Sequence, residues 1–417
     1  MPPAAKPPVA SSPLPRIGQS PADPRFVQNP YPFYDRMRAL GPLVIWQEYG
    51  LPCATGYTAL NALLKDRRLG REVPLDQRCP VPGHMAAFAA LQANSMLELE
   101  PPRQRRLRAL VQAAMTPPMI ATQEPVIETL AGALVDAFPA SGAFDLVAAY
   151  TQALPARVIL HVMGLPEVPL SDLQRWSTDM VGVYQAGSNR AVEDAANAAA
   201  SEFAAYITDA IAARRRHPGH GLLDALIAAS DAGEGLAPAE LVANVVLVLN
   251  AAREATVHAL GNAVAAILTH AGPDRGGMDQ RRAWLAPAQI GETVEECLRF
   301  DPPLHLFRRH VYEPVEVMGH RLAPGSEVIC LLGAAGRDPA RVEDPHRFDP
   351  FRPAKPHLAF SAGVHFCLGA ALARLELKVA LRTLFARCPG LHLAAPPVFA
   401  DSYHFRGPVA LRVRPGA

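Results

Sequence analysis

Apolar residues spaced three or four positions apart recur along most of the chain, often with alanine between them, and predict helices. The predicted helices cover residues 103–115, 125–138, 191–215, 237–270, 287–300 and 370–388. Short β-type runs bounded by proline and glycine turns predict strands at 43–48, 315–318, 328–332 and 409–413. The pattern therefore indicates a mainly α fold with minor β, with one small sheet expected near each end of the sequence.

The distribution of these runs also bears on domain organisation. Strands are predicted at both ends, and we find no internal repeat and no linker between residues 25 and 415. We therefore expect residues 25–417 to form a single interwoven domain. Residues 1–24 are rich in proline and alanine but lack the continuous apolar segment of a signal peptide, so we expect a disordered N-terminal tail.

The longest apolar stretch, residues 241–252, is interrupted by Asn244 and Asn250 and is followed by two charged residues. A helix that spans a bilayer needs about 20 predominantly apolar residues. We therefore expect no membrane segment.

Composition narrows the class of protein further. Half of the 417 residues are hydrophobic, 19% are charged and the net charge is +1, which is typical of a globular protein and argues against a nucleic-acid binder that depends on bulk charge. The six cysteines, at positions 53, 79, 297, 330, 367 and 388, form no Cys-x-x-Cys pair. This spacing disfavours zinc ribbons and disulfide scaffolds and favours a reducing, cytoplasmic location.

Cys367 lies directly before the last predicted helix. Free N–H groups and the dipole at a helix N-terminus favour a thiolate, which is a good metal ligand. Gly363 and Gly369 allow a tight turn and a close backbone approach, and Phe360 can shield the sulfur from water. A lone buried cysteine is more often a small core residue, but these neighbours, with His365, favour a metal ligand here.

Residues 360–369 read Phe-Ser-Ala-Gly-Val-His-Phe-Cys-Leu-Gly and match the pattern Phe-x-x-Gly-x-Arg/His-x-Cys-x-Gly. This pattern is the heme-binding signature of the cytochrome P450 family, which the chain closely resembles from about residue 25 to 415. The resemblance, to the soluble bacterial members, implies the triangular, mostly helical P450 fold and a heme b cofactor. It also implies that Cys367 is the axial thiolate ligand of the iron.

The two heme propionates need cationic partners, and arginine pairs with a carboxylate through two parallel hydrogen bonds. By resemblance, Arg108 and Arg309 stand at positions that bind the propionates, together with His365 inside the cysteine loop. Gln104 stands where many relatives have a histidine, and its amide can still donate a hydrogen bond.

Glu296 and Arg299 lie three positions apart on one predicted helix, where they can pair. By itself, an acid and a base at this spacing usually form a pair on the solvated surface. The pair precedes Cys367 in the family order, and the resemblance implies that Arg347 completes a buried Glu-Arg-Arg cluster that holds the cysteine loop.

The run Arg103, Arg105 and Arg106 has two interpretations. It is either a solvated helix face or a docking patch for an acidic electron-transfer protein.

The middle of the predicted helix 237–270 is apolar on nearly all sides, as expected of a helix that crosses a large protein. A buried carboxylate there, Glu254, needs a partner or a function, because an unpaired buried charge is costly. Ala251 and Glu254 match the family pattern Ala-Gly-x-Asp/Glu-Thr, whereas Ala252 replaces the glycine and Ala255 stands where the threonine is usual.

Ala255 lacks the hydroxyl that, in the family pattern, orients a water chain for proton delivery. Thr256 follows one residue later, about 100° around the helix, and is expected to point off the heme face. The missing hydroxyl could be replaced in three ways: by Thr256 or Asn250 turning into the site, by a polar group of the substrate, or by water bound to Glu254. The substrate or water route is the favoured hypothesis.

The activity that the resemblance implies is monooxygenation: one atom of O₂ enters a small, moderately apolar organic substrate and the other leaves as water. The remaining sequence has no room for a flavin or iron–sulfur module, so we expect a separate ferredoxin and its NAD(P)H-dependent reductase. The substrate pocket is expected to be lined by residues 73–96, Val246, Asn250, residues 304–307 and residues 402–405.

Two alternatives remain open at this point. Because Ala255 replaces the usual threonine, the chain could instead be an atypical heme-thiolate enzyme, such as a peroxygenase, an oxidative coupling enzyme or a rearrangement catalyst. A non-catalytic heme sensor or binder is the alternative from another class, against which Glu254 in the central helix argues. We expect a monomer.

Overall fold

The computed structural model describes residues 13–165, 168–185, 187–233, 236–271, 277–353 and 355–416. The helices of its first half are α1 (Pro24–Gln28), α2 (Tyr31–Leu40), α3 (Tyr57–Lys65), α4 (Ala86–Gln92), α5 (Arg103–Ala114), α6 (Pro117–Ala121), α7 (Glu124–Asp136), α8 (Ala153–Met163), α9 (Leu170–Gly182) and α10 (Arg190–Arg216). The later helices are α11 (Leu222–Asp231), α12 (Pro238–His270), α13 (Gly277–Trp284), α14 (Ile290–Phe300), α15 (Leu332–Ala335) and α16 (Ala370–Arg387). Each helix predicted from the sequence is present, with ends that differ by only a few residues.

The strands are short. They are β1 (Arg16–Ile17), β2 (Leu43–Trp46), β3 (Leu51–Ala54), β4 (Leu69–Gly70), β5 (Phe144–Asp145), β6 (Phe307–Val311), β7 (Val315–Val317), β8 (His320–Leu322), β9 (Glu327–Cys330), β10 (His392–Leu393), β11 (Val398–Phe399), β12 (Pro408–Ala410) and β13 (Arg412–Arg414).

The largest sheet joins strands from distant parts of the chain. It has the order β1-β2-β3-β9-β6-β4, and β3 runs parallel to β9 with Cys53 opposite Ile329. The prediction of one separate sheet near each end of the sequence is therefore wrong, because the N-terminal strands share a sheet with β6 and β9. Smaller sheets have the orders β10-β13-β5, β11-β12 and β7-β8.

The predicted N-terminal tail is partly ordered. Residues 1–12 lie outside the described residues. Within residues 13–24, Arg16 and Ile17 pair with Ile45 and Trp46 of β2, and the carboxylate of Asp23 accepts hydrogen bonds at the start of α1. For this part of the tail the expectation of disorder is wrong.

Helix α12 lies in the middle of the protein and packs against α4, α8, α10, α14 and α16. Leu249, Leu260 and Val264 on this helix belong to the largest apolar core cluster. Since neighbours surround it, α12 has no broad polar face, which explains its apolar sequence. Among the helices of the described ranges, none is long and apolar enough to cross a membrane.

Candidate active site

The loop that carries Cys367 is held at both ends. Gly363 has a φ of +71°, and a Cβ at this position would lie 2.2 Å from the carbonyl oxygen of Leu64, so only glycine fits. The Cys367 N–H donates to the carbonyl of Phe360 at 2.9 Å, and Gly369 caps the start of α16. The turn and the helix start therefore fix the position of the thiol between them.

Cys367, Phe360 and Gly369 line a cavity of ≈ 330 Å³. This volume is within the range of about 300–1,000 Å³ that is usual for small-molecule sites. A Cβ on Gly369 would meet no atom within 4 Å, so the backbone beside the thiol is open to a large group.

Burial raises the pKa of the Cys367 thiol, whereas the N–H of Gly369 and the charges of Arg108 and Arg374 lower it. The helix start lowers the pKa of the thiol, as expected, but burial raises that pKa by more. The proton must therefore leave when a metal binds, since the thiolate is the ligand form.

The cavity wall is mostly apolar and comes in part from the segments that were expected to form it. Residues 88–97, Val246 and Asn250 of α12, residues 303–307 and residues 404–405 line it, whereas residues 73–87 do not. Residues 158–159 of α8 and residues 180–184 at the end of α9 also contribute, and the sequence did not predict them.

Arg309 on β6 is a buried cation that forms no ion pair with any of the described acidic residues. Its side chain is 2% exposed, one terminal nitrogen donates to the Arg308 carbonyl at 2.9 Å, and the other has no hydrogen-bond partner in the described part of the chain. Burial is the main reason that its pKa falls to about 10. The guanidinium lies over the ring of Phe307, which lines the cavity, so it fits an anionic group bound there.

Arg108 on α5 lines the cavity directly and is half-buried. Burial lowers its pKa, and the nearby Cys367 sulfur opposes that shift. Its guanidinium forms no ion pair within the described residues. Two unpaired arginines beside an apolar cavity and a thiol match what a heme requires: iron ligand, propionate partners and apolar walls.

His365 and Gln104 also line the cavity, but both have protein partners. His365 Nε2 lies 2.8 Å from Glu100 Oε1, and the Gln104 amide donates to the Val364 carbonyl at 3.2 Å. Burial acts to raise the pKa of Glu100, but the hydrogen bonds from His365 and the Arg71 N–H, with nearby positive charge, hold it below its ordinary value. The sequence offered no pattern by which Glu100 or Arg71 could be recognised as part of this site.

On the opposite wall, Glu254 is buried and paired. It forms an ion pair with Arg253, and His258 Nε2 lies 3.7 Å from its Oε1. Burial acts to raise the pKa of Glu254, but His258 and Arg253 together hold it below its ordinary value. The carboxylate expected to need a partner therefore has two.

Ala251, Glu254, Ala255 and Thr256 all line the cavity. Thr256 belongs to the cavity wall, and the expectation that it points off the heme face stays a prediction. Its hydroxyl has no hydrogen-bond partner among the described residues, so it is free to bind a ligand or water.

The Glu-Arg-Arg cluster forms with a different second arginine. Arg299 donates to both carboxylate oxygens of Glu296 at 2.6 and 2.8 Å, and both residues are fully buried. Arg352 Nε lies 3.7 Å from Glu296, whereas the Arg347 side chain is 66% exposed and faces Asp349. The prediction for Arg347 is wrong because the turn presents only its carbonyl to the cluster.

The basic run on α5 is largely engaged within the protein. Arg103 and Arg106 donate to Glu240 in the first turn of α12, at 3.0 and 2.7 Å. Arg105 is exposed. These ion pairs join two helices, but all three arginine side chains keep exposed surface, so both interpretations of the run stay open.

Comparison with known proteins agrees with this geometry. Residues 290–390 match the sequence profile described as Cytochrome P450. Over 380 residues the chain is 32% identical to the biotin biosynthesis cytochrome P450 of Bacillus subtilis (strain 168), and the match covers 91% of this chain and 94% of that protein. The chain belongs to the cytochrome P450 family.

Other P450s are similarly close. The vitamin D(3) 25-hydroxylase of Pseudonocardia autotrophica is 35% identical over 381 residues, which cover 88% of this chain and 89% of that protein. The crystal structure of P450BioI in complex with hexadec-9Z-enoic acid ligated acyl carrier protein superposes with a TM-score of 0.86 at 31% identity, covering 94% and 99% of the two chains. The expected mainly α P450 fold is confirmed, and this P450 is a monooxygenase with a heme-iron cofactor.

Proposed function

We propose that Cys367 is the axial ligand of the heme iron, and that this P450 inserts one atom of O₂ into a small, moderately apolar organic molecule. Electrons come from a separate ferredoxin and its NAD(P)H-dependent reductase. The observation that carries the proposal is the place of Cys367 in the wall of an apolar cavity, on a loop held by a required glycine and the start of α16. When bound, the heme supplies the oxygen chemistry, and its thiolate ligation favours cleavage of the O–O bond.

Arg309 and Arg108 hold the heme propionates in this proposal. Both are without ion-pair partners in the described residues, and a carboxylate is the group that two such cations accept best. His365 and Gln104 adjoin the same end of the cavity, and their bonds to Glu100 and Val364 keep the cysteine loop in place.

Proton delivery starts from Glu254 in this proposal. Its lowered pKa keeps it a carboxylate, which accepts a hydrogen bond from water in the cavity and relays a proton through that water. Thr256, with a free hydroxyl in the cavity wall, orders that water in place of the hydroxyl that Ala255 lacks. This is the Thr256 route among the alternatives given above, and the substrate or water route favoured from the sequence stays the competing prediction.

A coupling measurement tests the proton route. A ligand that shifts the Soret band is first selected by screening, and product formed per NADH consumed is then compared for wild type, Glu254→Gln, Thr256→Val and Ala255→Thr. We expect coupling to fall by about tenfold or more in Glu254→Gln and Thr256→Val, and Ala255→Thr to restore it in the Thr256→Val background. Wild-type coupling in Glu254→Gln would remove Glu254 from the route, and wild-type coupling in Thr256→Val would favour the substrate or water instead.

An atypical heme-thiolate reaction is the second candidate, and Ala255 is the observation that favours it. Product formation from the same ligand with a ferredoxin pair is compared with product formation from hydrogen peroxide. Turnover with peroxide alone would indicate a peroxygenase. No product under either condition would favour a heme sensor.

The substrate class follows from the cavity and from two relatives. One relative is named as a vitamin D(3) hydroxylase, and one solved structure holds a hexadecenoic acid on its carrier protein. Both molecules are largely apolar, as the cavity wall of this protein is. The monomeric state and the cytoplasmic location stay predictions.

A further inference from the structure

Asn250 is a polar side chain in the cavity wall without a hydrogen-bond partner among the described residues. Its Oδ1 is shielded from solvent and accepts no hydrogen bond, and its amide nitrogen donates none to the described residues. Val246 lies one turn before it, and Ala251 follows it in the cavity wall. A shielded oxygen that accepts no hydrogen bond destabilises the protein, so its presence calls for a ligand that donates one.

The other asparagines of α12 have structural roles that Asn250 lacks. Asn244 Oδ1 accepts the Met96 N–H at 3.0 Å, and its amide donates to the carbonyls of Asn94 and Glu240. The amide of Asn262 donates to two backbone carbonyls. Asparagine is also a poor helix former, so at position 250 neither helix propensity nor a protein contact explains it.

Neighbouring polar groups do not satisfy Asn250 either. Glu254, one turn later on the same helix, is engaged by Arg253 and His258. The shielded Oδ1 is an acceptor, so the group that satisfies it is a hydrogen-bond donor, and a hydroxyl is a neutral donor that an otherwise apolar ligand can carry.

We propose that Asn250 is a specificity residue that holds a hydroxyl group of the substrate, which donates a hydrogen bond to Oδ1. The inference rests on the proposed function of this cavity as the substrate site of a heme-thiolate monooxygenase. It narrows the substrate class from a moderately apolar molecule to an apolar alcohol. The corresponding hydrocarbon binds less well, because it leaves the amide unpaired.

The probes for the test are the bicyclic alcohol 2-decalol and its parent hydrocarbon decalin. Each is titrated into wild-type holoprotein and the variants Asn250→Leu and Asn250→Ala, and the Soret shift gives the two dissociation constants. Their ratio isolates the contribution of the hydroxyl from that of the ring system. Gln92→Leu is the matched control, because it removes another cavity-lining amide whose nitrogen already donates to the Tyr184 hydroxyl at 2.8 Å.

We expect the preference for the alcohol over the hydrocarbon to fall about fivefold in both Asn250 variants, because one neutral hydrogen bond contributes on that scale. In Gln92→Leu the preference should stay at the wild-type value. An unchanged ratio in the Asn250 variants, or a wild type that does not respond to the alcohol, overturns the inference. The reduced protein with carbon monoxide is recorded first. If the thiolate-type band is missing, the proposed function fails; if it is present and the ratio does not change, only the role of Asn250 fails.

Discussion

Replacing Arg309 by methionine tests whether this cation exists to hold the cofactor. Its pKa falls to about 10, well below the usual range of an arginine, mainly through burial. One pH unit corresponds to about 1.36 kcal/mol, so burying the charged group costs the fold about 3 kcal/mol. The folded pKa is lowered, so this cost is present wherever Arg309 is charged, which includes neutral pH.

When heme binds, a propionate beside Arg309 offsets the cost of burying the charged guanidinium. We therefore expect Arg309→Met to release heme roughly 100-fold faster, since about 1.4 kcal/mol corresponds to a factor of ten. Arg308→Met is the matched control, because Arg308 is the neighbouring arginine on β6 but has an exposed side chain. Its heme release should stay at the wild-type rate.

The assay mixes holoprotein with an excess of apomyoglobin and follows heme transfer in the Soret region. Circular dichroism checks that each variant keeps its helices. Wild-type transfer rates in a folded Arg309→Met variant would refute the reasoning, because the buried cation would then have no anionic ligand.

Two further predictions concern the scaffold around Cys367. Arg352→Met should destabilise the holoprotein by about 1–3 kcal/mol in urea unfolding, because it removes hydrogen bonds to the carbonyls of Glu343, Asp344 and Arg347 and a second cation near Glu296. Arg347→Met should stay within about 0.5 kcal/mol; equal effects would contradict the assignment. Gly363→Ala should yield protein with little bound heme, because its Cβ would collide with the Leu64 carbonyl; full heme content measured as the pyridine complex would contradict that reasoning.

Local sequence patterns located the long helices because burial imposes a clear periodicity on them. Helix α12 was recognisable from its apolar character on all sides, and α16 from its length and its position after Cys367. Helix α8 was missed, since Pro155 near its start reads as a break although the first turn of a helix needs no partner for that N–H. The pairing of β3 with β9 joins distant segments, and no local pattern specifies it.

In the candidate site, too, some features follow from local sequence patterns and others depend on contacts between distant segments. The spacing around Cys367 and the position of Arg309 could be read from motifs, because the chemistry requires those residue types at those places. The choice of Arg352 over Arg347 could not, because it depends on the direction in which a turn sends each side chain. The bond between His365 and Glu100 likewise depends on how two distant segments pack.

The most direct test of the account is the Soret spectrum of reduced protein with carbon monoxide, recorded for wild type, Cys367→Ala and Cys330→Ala. Cys330 is a suitable control because it is buried in β9 and does not line the cavity. We predict the red-shifted band of thiolate ligation in wild type and Cys330→Ala, and its absence in Cys367→Ala. Persistence of that band in Cys367→Ala would contradict the assignment of the iron ligand.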